Sequence, residues 1–194
     1  MCYGKLWRGF CAGFVAIALI LIKPDIVLAA VNPPEFGYAV QAIEELDAMR
    51  SGLASTLEPG SDITPETMRE VCKPVGMQAK KLGVDNGWQV KQVAKKYRNL
   101  DHAPQTLRET MAIAKFEQDP ELLSFSQTAQ DGLHYYRRIN VESSCLACHG
   151  AKNDRPNFIK AKYLDDLAYD FKVGDLRGMY SVLMPTLESI SSEL

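Results

Sequence analysis

Apolar positions in this chain fall first into helical and then into alternating patterns. Over residues 36–58, Val40, Ile43, Leu46 and Leu53 recur near one face of a helix. Thr64-Pro65-Glu66 is a helix start, with a capping hydroxyl, a proline at the first position and then an acid. The helix it opens is predicted over about 65–82, with Met68, Val71, Cys72, Val75, Ala79 and Leu82 at three- and four-residue steps and Gly83 as its C-terminal cap. Pro74 lies inside that stripe, removes one helical hydrogen bond and predicts a kink.

From Trp88 to Tyr97 the pattern is strand-like, with Trp88 and Val90 on one face and a slip at Val93 that predicts a bulge. Arg98 to Pro104 reads as a loop. Residues 105–117 read as a helix with Leu107, Met111, Ala114 and Phe116 inward. Short strands are expected over 121–128 and 133–141, a short helix over 161–172, a strand from Gly178 to Met184, and a terminal helix from Pro185. Helices come first and antiparallel strands follow, an α+β order.

Composition narrows the classes. The chain has 194 residues, 46% hydrophobic and 24% charged, with 22 basic against 24 acidic side chains. These are globular values, and the charge offers no basic surface for nucleic acid. Residues 1–29 read as an export signal. Lys5 and Arg8 precede an uncharged stretch from Gly9 to Ile22, and Val27-Leu28-Ala29 suits signal cleavage. The competing reading is an uncleaved membrane anchor, for which the stretch falls short of the ~20 residues a spanning helix needs. Residues 30–194 are then expected to form one domain outside the cytoplasm.

Removing the signal takes Cys2 and Cys11 with it and leaves Cys72, Cys145 and Cys148. An odd count does not make a disulfide framework. Cys145-Leu146-Ala147-Cys148-His149 is the C-x-x-C-H attachment pattern of c-type haem. Two thiols three residues apart share one side of a tight helical turn and can add to the two vinyl groups along one edge of a porphyrin. The following histidine then falls beneath the iron as its proximal ligand. A thioredoxin-like pair, a zinc site and a local disulfide are the alternatives. The first lacks its βαβ context, the second lacks paired ligands, and the third leaves His149 unexplained. One covalent haem is therefore expected.

The ligand opposite His149 stays open on the residues alone. His102, His134, Cys72 and the methionines are all candidates, and Cys72 also fits as a small buried hydrophobe. An idle thiol in an oxidising compartment is a liability, which keeps Cys72 in contention. Arg98, Arg137 and Arg138 are candidate partners for the haem propionates.

Several segments together resemble a family of single-haem c-type domains with a PAS-like fold, free-standing in cyanobacteria and a sensor module of extracytoplasmic receptors elsewhere. They are Val71-Cys72-Lys73-Pro74, Tyr97 to Pro104, Tyr136 to Ile139 with Cys145 to Gly150, Asp154 to Phe158, and Gly174 to Gly178. The loop departs from the family pattern at Leu100 and His102, where the family tends to carry proline and asparagine. The resemblance implies that Cys72 is the distal axial ligand opposite His149.

Thiolate ligation favours ferric iron and a low potential, and a six-coordinate iron has no open position for substrate. The expected role is an electron carrier or redox protein of the thylakoid lumen or periplasm, acting on an unidentified redox or signalling partner. The alternative is a haem-based redox or gas sensor, in which loss of the Cys72 ligand opens a site for NO or CO. No distal catalytic group is recognisable, so an enzyme is the least favoured class.

Overall fold

Two long helices open the fold of this computed structural model, which describes residues 33–57 and 62–186. The expected signal segment and the expected terminal helix beyond residue 186 lie outside the described residues. Helix α1 spans Pro33–Ala54 and α2 spans Pro65–Asn86. Thr64 caps α2 as its sequence indicates. Its hydroxyl accepts from the Thr67 N–H at 3.2 Å, and the Thr67 hydroxyl accepts from the Thr64 N–H in return.

Strand β1 is Gln89–Val93, and helix α3 is Leu107–Gln118 after a 3-10 turn at Leu100–His102. Strands β2 (Ser124–Ala129) and β3 (Gly132–Asn140) form a hairpin. The short helix α4, Leu146–His149, follows directly, then α5 (Asn157–Lys162), and β4 (Leu176–Pro185) closes the sheet. The four strands are antiparallel in the order β1-β4-β3-β2.

Both faces of the sheet are covered. On one, Ile43 and Leu46 of α1 and Val75, Ala79 and Leu82 of α2 pack against Tyr135, Ile139, Tyr180, Val182 and Met184. On the other, Ala112, Ile113 and Phe116 of α3 pack against Val93, Tyr136 and Met179. Side chains such as Ile43 and Leu46, at most 1% exposed, each contribute about 1.5–3 kcal/mol through burial.

The structure corrects the sequence reading in four places. Helix α2 runs on past Gly83 to Asn86, and its cap is Gly87, left-handed at φ 69°. Gly83 serves the chain differently, by giving room. A Cβ there would lie 2.9 Å from the Trp88 carbonyl oxygen, so the glycine lets β1 leave α2 at close range. Strand β1 pairs with β4 without interruption from Gln89 to Val93, so no bulge falls at Val93. Val93 points to the α3 face and Val90 to the α1–α2 face, so the apparent slip reflects a sheet covered on both faces. The irregularity lies between Ile139 and Asn140.

Helix α3 buries Glu109, Ala112, Ile113 and Phe116, whereas Leu107 and Met111 are exposed. An acid sits on its inner face because Lys91 pairs with it at 2.6 Å and the Gln105 N–H donates to it at 2.8 Å. Finally, the helix expected over 161–172 ends at Lys162. The segment beyond it gives its backbone N–H groups to other loops: Leu167 to Tyr97 O, Asp170 to Gly150 O and Phe171 to His149 O. Tertiary hydrogen bonding overrides local helix preference there.

Gly132 starts β3 at φ 143°, and a Cβ at this position would lie 2.1 Å from the Met184 carbonyl oxygen, a backbone atom. Gly132→Ala is expected to destabilise the fold by about 2–3 kcal/mol through strain and loss of β3–β4 pairing. Comparison of denaturant midpoints measures the effect, and an unchanged midpoint would refute the close approach.

Candidate functional site

A cavity of about 950 Å³ opens at one end of the sheet, between the N-terminal half of α2 and the segment around α4. The split in α2 explains its position. Val75, Ala79 and Leu82 are buried against α1 and the sheet, while Met68, Val71 and Cys72, one or two turns earlier on the same stripe, line the cavity. Val93, Ala94, Ile139 and Gly178 form its sheet-side wall, and Cys145, Cys148 and His149 come in from α4 and the turn before it. The spacing of the C-x-x-C-H pattern thus becomes one short helical turn with all three side chains on a common wall.

Cys145 is tied to α1. The Glu142 N–H donates to Cys145 Sγ at 3.3 Å, and Glu142 Oε1 and Oε2 accept from Arg50 Nη2 at 2.8 Å and Ser51 Oγ at 2.7 Å. His149 is fixed from the opposite side. Its Nδ1 lies 2.8 Å from the Ala168 carbonyl oxygen. Arg98 Nη2 is also 3.3 Å from Nδ1, but this nitrogen donates to the Cys148 carbonyl at 2.7 Å. The shorter contact to a pure acceptor makes Nδ1 the protonated nitrogen, which leaves Nε2 with its lone pair. Burial, together with the positive Arg177 and Arg98, holds the His149 pKa well below the ordinary imidazole value, and only the Ala168 bond opposes them. A neutral imidazole with one free nitrogen is the form that ligates a metal.

Cys72 is open to the cavity. Enclosure by cavity walls raises its pKa, and the charges of Arg98 and Arg177 oppose the rise. Cys148 is likewise raised by burial. His102 stands on the same cavity wall, its pKa lowered by partial desolvation and by Arg177. His134 does not; it is buried in β3, with Nε2 2.9 Å from Asp131.

The three arginines singled out in the sequence part company. Arg98 lines the cavity but braces the Cys148–His149 backbone. Arg137 pairs with Glu44 at 2.8 Å and Asp47 at 3.2 Å on α1, away from the cavity lining. Arg138 donates to the Phe116 carbonyl at 2.7 Å and to Asn140 at 2.5 Å, inside the sheet–α3 layer. The structure therefore does not bring Arg137 and Arg138 to the site. It brings three others that the sequence reading did not single out for the site, Arg50, Arg69 and Arg177. Arg177 is pushed down to about 10 by burial and by Arg98, with Asp166 opposing, and so remains charged at neutral pH. Its place on β4, one residue after the strand begins, carries no local signal of a cavity role; only strand pairing puts it there.

The chain matches a known family. Residues 37–185 match the Tll0287-like family, and the chain belongs to that family. A solved structure titled "Crystal structure of the cyanobacterial heme-protein Tll0287" is similar at 56% sequence identity and a TM-score of 0.76, covering 81% of this chain and 98% of the other. No curated protein matches. The family resemblance drawn from the motifs is thereby shown.

Burial pushes the Glu142 carboxyl up, but hydrogen bonds from Ser51 and Arg50 and the Arg50 charge outweigh it and hold the pKa below the ordinary value. A carboxylate depressed in the fold adds stability above its unfolded pKa and loses it as pH falls through the folded one. Glu142→Gln is therefore expected to lower stability at neutral pH by under ~1 kcal/mol, solvent screening of a carboxyl that is 37% exposed limiting the loss, and to flatten the acid loss of stability below pH ~4.5. Urea midpoints from pH 3 to 7 check this, and parallel pH curves for the two proteins would contradict it.

Proposed function

We propose that this chain is an exported, mono-haem c-type cytochrome domain of PAS-like fold, with His149 and Cys72 as axial ligands and an electron-transfer or redox role. The observation that carries the reading is the gathering of Cys145, Cys148, His149 and Cys72 on one cavity. The donor set fits the group: two thiols at attachment spacing, a neutral imidazole with Nε2 free, and a second sulfur from another element. The haem title of the similar structure supports it. Charge supports it too, because Arg177 and Arg50 present guanidiniums to a cavity whose occupant would carry two propionates. First strand paired with last and helices in the β1–β2 connection support the PAS-like assignment.

When bound, haem supplies a one-electron ferric/ferrous couple tuned by its axial ligands. The residues do the rest. Cys145 and Cys148 form the thioether links, Glu142 and Arg50 hold the Cys145 turn against α1, and Ala168 and Arg98 fix the His149 ring. Export to the thylakoid lumen or periplasm, a separate redox partner and the absence of an enzymatic role complete the proposal.

A second reading, a redox or gas sensor, has its own supporting observation. Cys72 has no hydrogen-bond partner among the described residues, whereas His149 is anchored by Ala168. A ligand held only by its helix is the one that can leave.

The test is EPR of the ferric, haem-loaded protein. A low-spin signal with narrow g-spread, converted to high-spin or to a wide spread by Cys72→Ser, is the expected outcome. A wide spread in the unmodified protein would overturn the Cys72 assignment. Haem should survive acid–acetone extraction and be lost in the Cys145→Ser/Cys148→Ser double variant; haem extracted from the unmodified protein would overturn covalent attachment.

A further inference from the structure

Asp166 has a fully buried side chain in the irregular segment between α5 and β4, and no motif contains it. Its two oxygens do different things. Oδ1 accepts from the Ala168 N–H at 2.8 Å. Oδ2 accepts from Arg155 Nη1 at 2.8 Å and lies 3.5 Å from Arg98 Nε. Arg98 Nε is itself buried and has no hydrogen-bond partner, so its charge depends on Asp166 across that gap.

Two of these contacts lead to His149. Asp166 accepts from the N–H of Ala168, the residue whose carbonyl, one peptide further on, accepts from His149 Nδ1. The Arg98 guanidinium that Asp166 faces donates to the Cys148 carbonyl and lies 3.3 Å from Nδ1. The segment is pinned around these two points, since Leu167 donates to Tyr97 O at 2.8 Å and Asp170 to Gly150 O at 2.7 Å. Arg155 also lies over the Tyr169 ring at 4.6 Å, which closes the outer side of the carboxylate.

We propose that Asp166 is a positioning residue for His149. Its carboxylate anchors the backbone at Ala168, and through the carbonyl of that residue the orientation and tautomer of the ring. It also supplies the one buried negative charge between Arg98 and Arg155. The proposal rests on the reading of His149 as an axial ligand. A charge at this place acts on the site in a second way: without it, Arg98 at the cavity and Arg155 behind it, 10% and 11% exposed, lose their shared buried counter-charge, which disfavours the more positive ferric state.

The test compares haem-loaded Asp166→Asn and Asp165→Asn with the unmodified protein, by ferric EPR and by the midpoint potential. Asp165 is the adjacent exposed acid and loses the same charge from the same segment. Asp166→Asn is expected to keep haem, change the low-spin g-values, and shift the ferric/ferrous equilibrium about tenfold toward ferrous, ~59 mV for one electron. Asp165→Asn is expected to leave both readings unchanged. Unmodified g-values and potential in Asp166→Asn, or an equal shift in both variants, would overturn the proposal. If Asp166→Asn fails to mature, Arg155→Gln loosens the same carboxylate from its outer side; altered g-values support the proposal and identical ones overturn it. Failure of the underlying reading looks different: His149→Ala would leave the EPR of the otherwise unmodified protein as it was.

Discussion

Strand β4 pairs on both of its edges, and the site depends on that. It meets β1 from Gln89↔Leu183 to Val93↔Met179 and β3 from Gly132↔Pro185 to Asn140↔Leu176. This double pairing joins the exit of α2, through β1, to the entry of α4, through β3. Cys72 and His149 are far apart in sequence. They face one cavity because each is delivered by a strand that β4 holds. The same strand places Arg177 at that cavity, next to Gly178, whose missing Cβ admits the Val93 carbonyl.

The cavity exists because α2 is longer than the surface it packs on. Its C-terminal turns cover the α1–sheet core, and its N-terminal turns extend past the sheet's end. The stripe that reads as one hydrophobic face is thus two surfaces with different duties. A capped start at Thr64 is needed to keep the overhanging turns helical, since they lack the packing that stabilises the rest.

Sequence pattern carried the elements built from local periodicity. Both long helices, the β2–β3 hairpin and the last strand lie where their apolar spacing puts them, and the C-x-x-C-H spacing fixed three residues of the site. What stayed illegible depends on partners distant in sequence. The inner face of α3 contains Glu109, acceptable only because Lys91 comes from β1. The 163–175 segment takes its shape from Tyr97, His149 and Gly150, and nothing in its own residues announces this. Arg137 and Arg138 sit close to the motif in sequence, yet they alternate across a strand, so one turns to α1 and the other to α3, and neither reaches the cavity.

The two walls that carry the proposed ligands are built unequally. On the His149 side, backbone and buried charge act together: Ala168, Arg98, Asp166 and the Gly150–Asp170 bond form a closed set of contacts around one imidazole. Phe171 packs edge-on against the ring at 6.1 Å, and Lys96 covers the far face of Phe171 at 4.2 Å. On the Cys72 side there is one helix, held by its cap and by packing that begins one turn away at Val75. Displacing His149 would break several interactions at once, whereas displacing the Cys72 sulfur breaks no hydrogen bond among the described residues. The fold therefore fixes one side of the cavity and leaves the other to whatever the sulfur binds. That asymmetry follows from topology: His149 lies in a loop cage closed by β3 and β4, and Cys72 lies on an overhang.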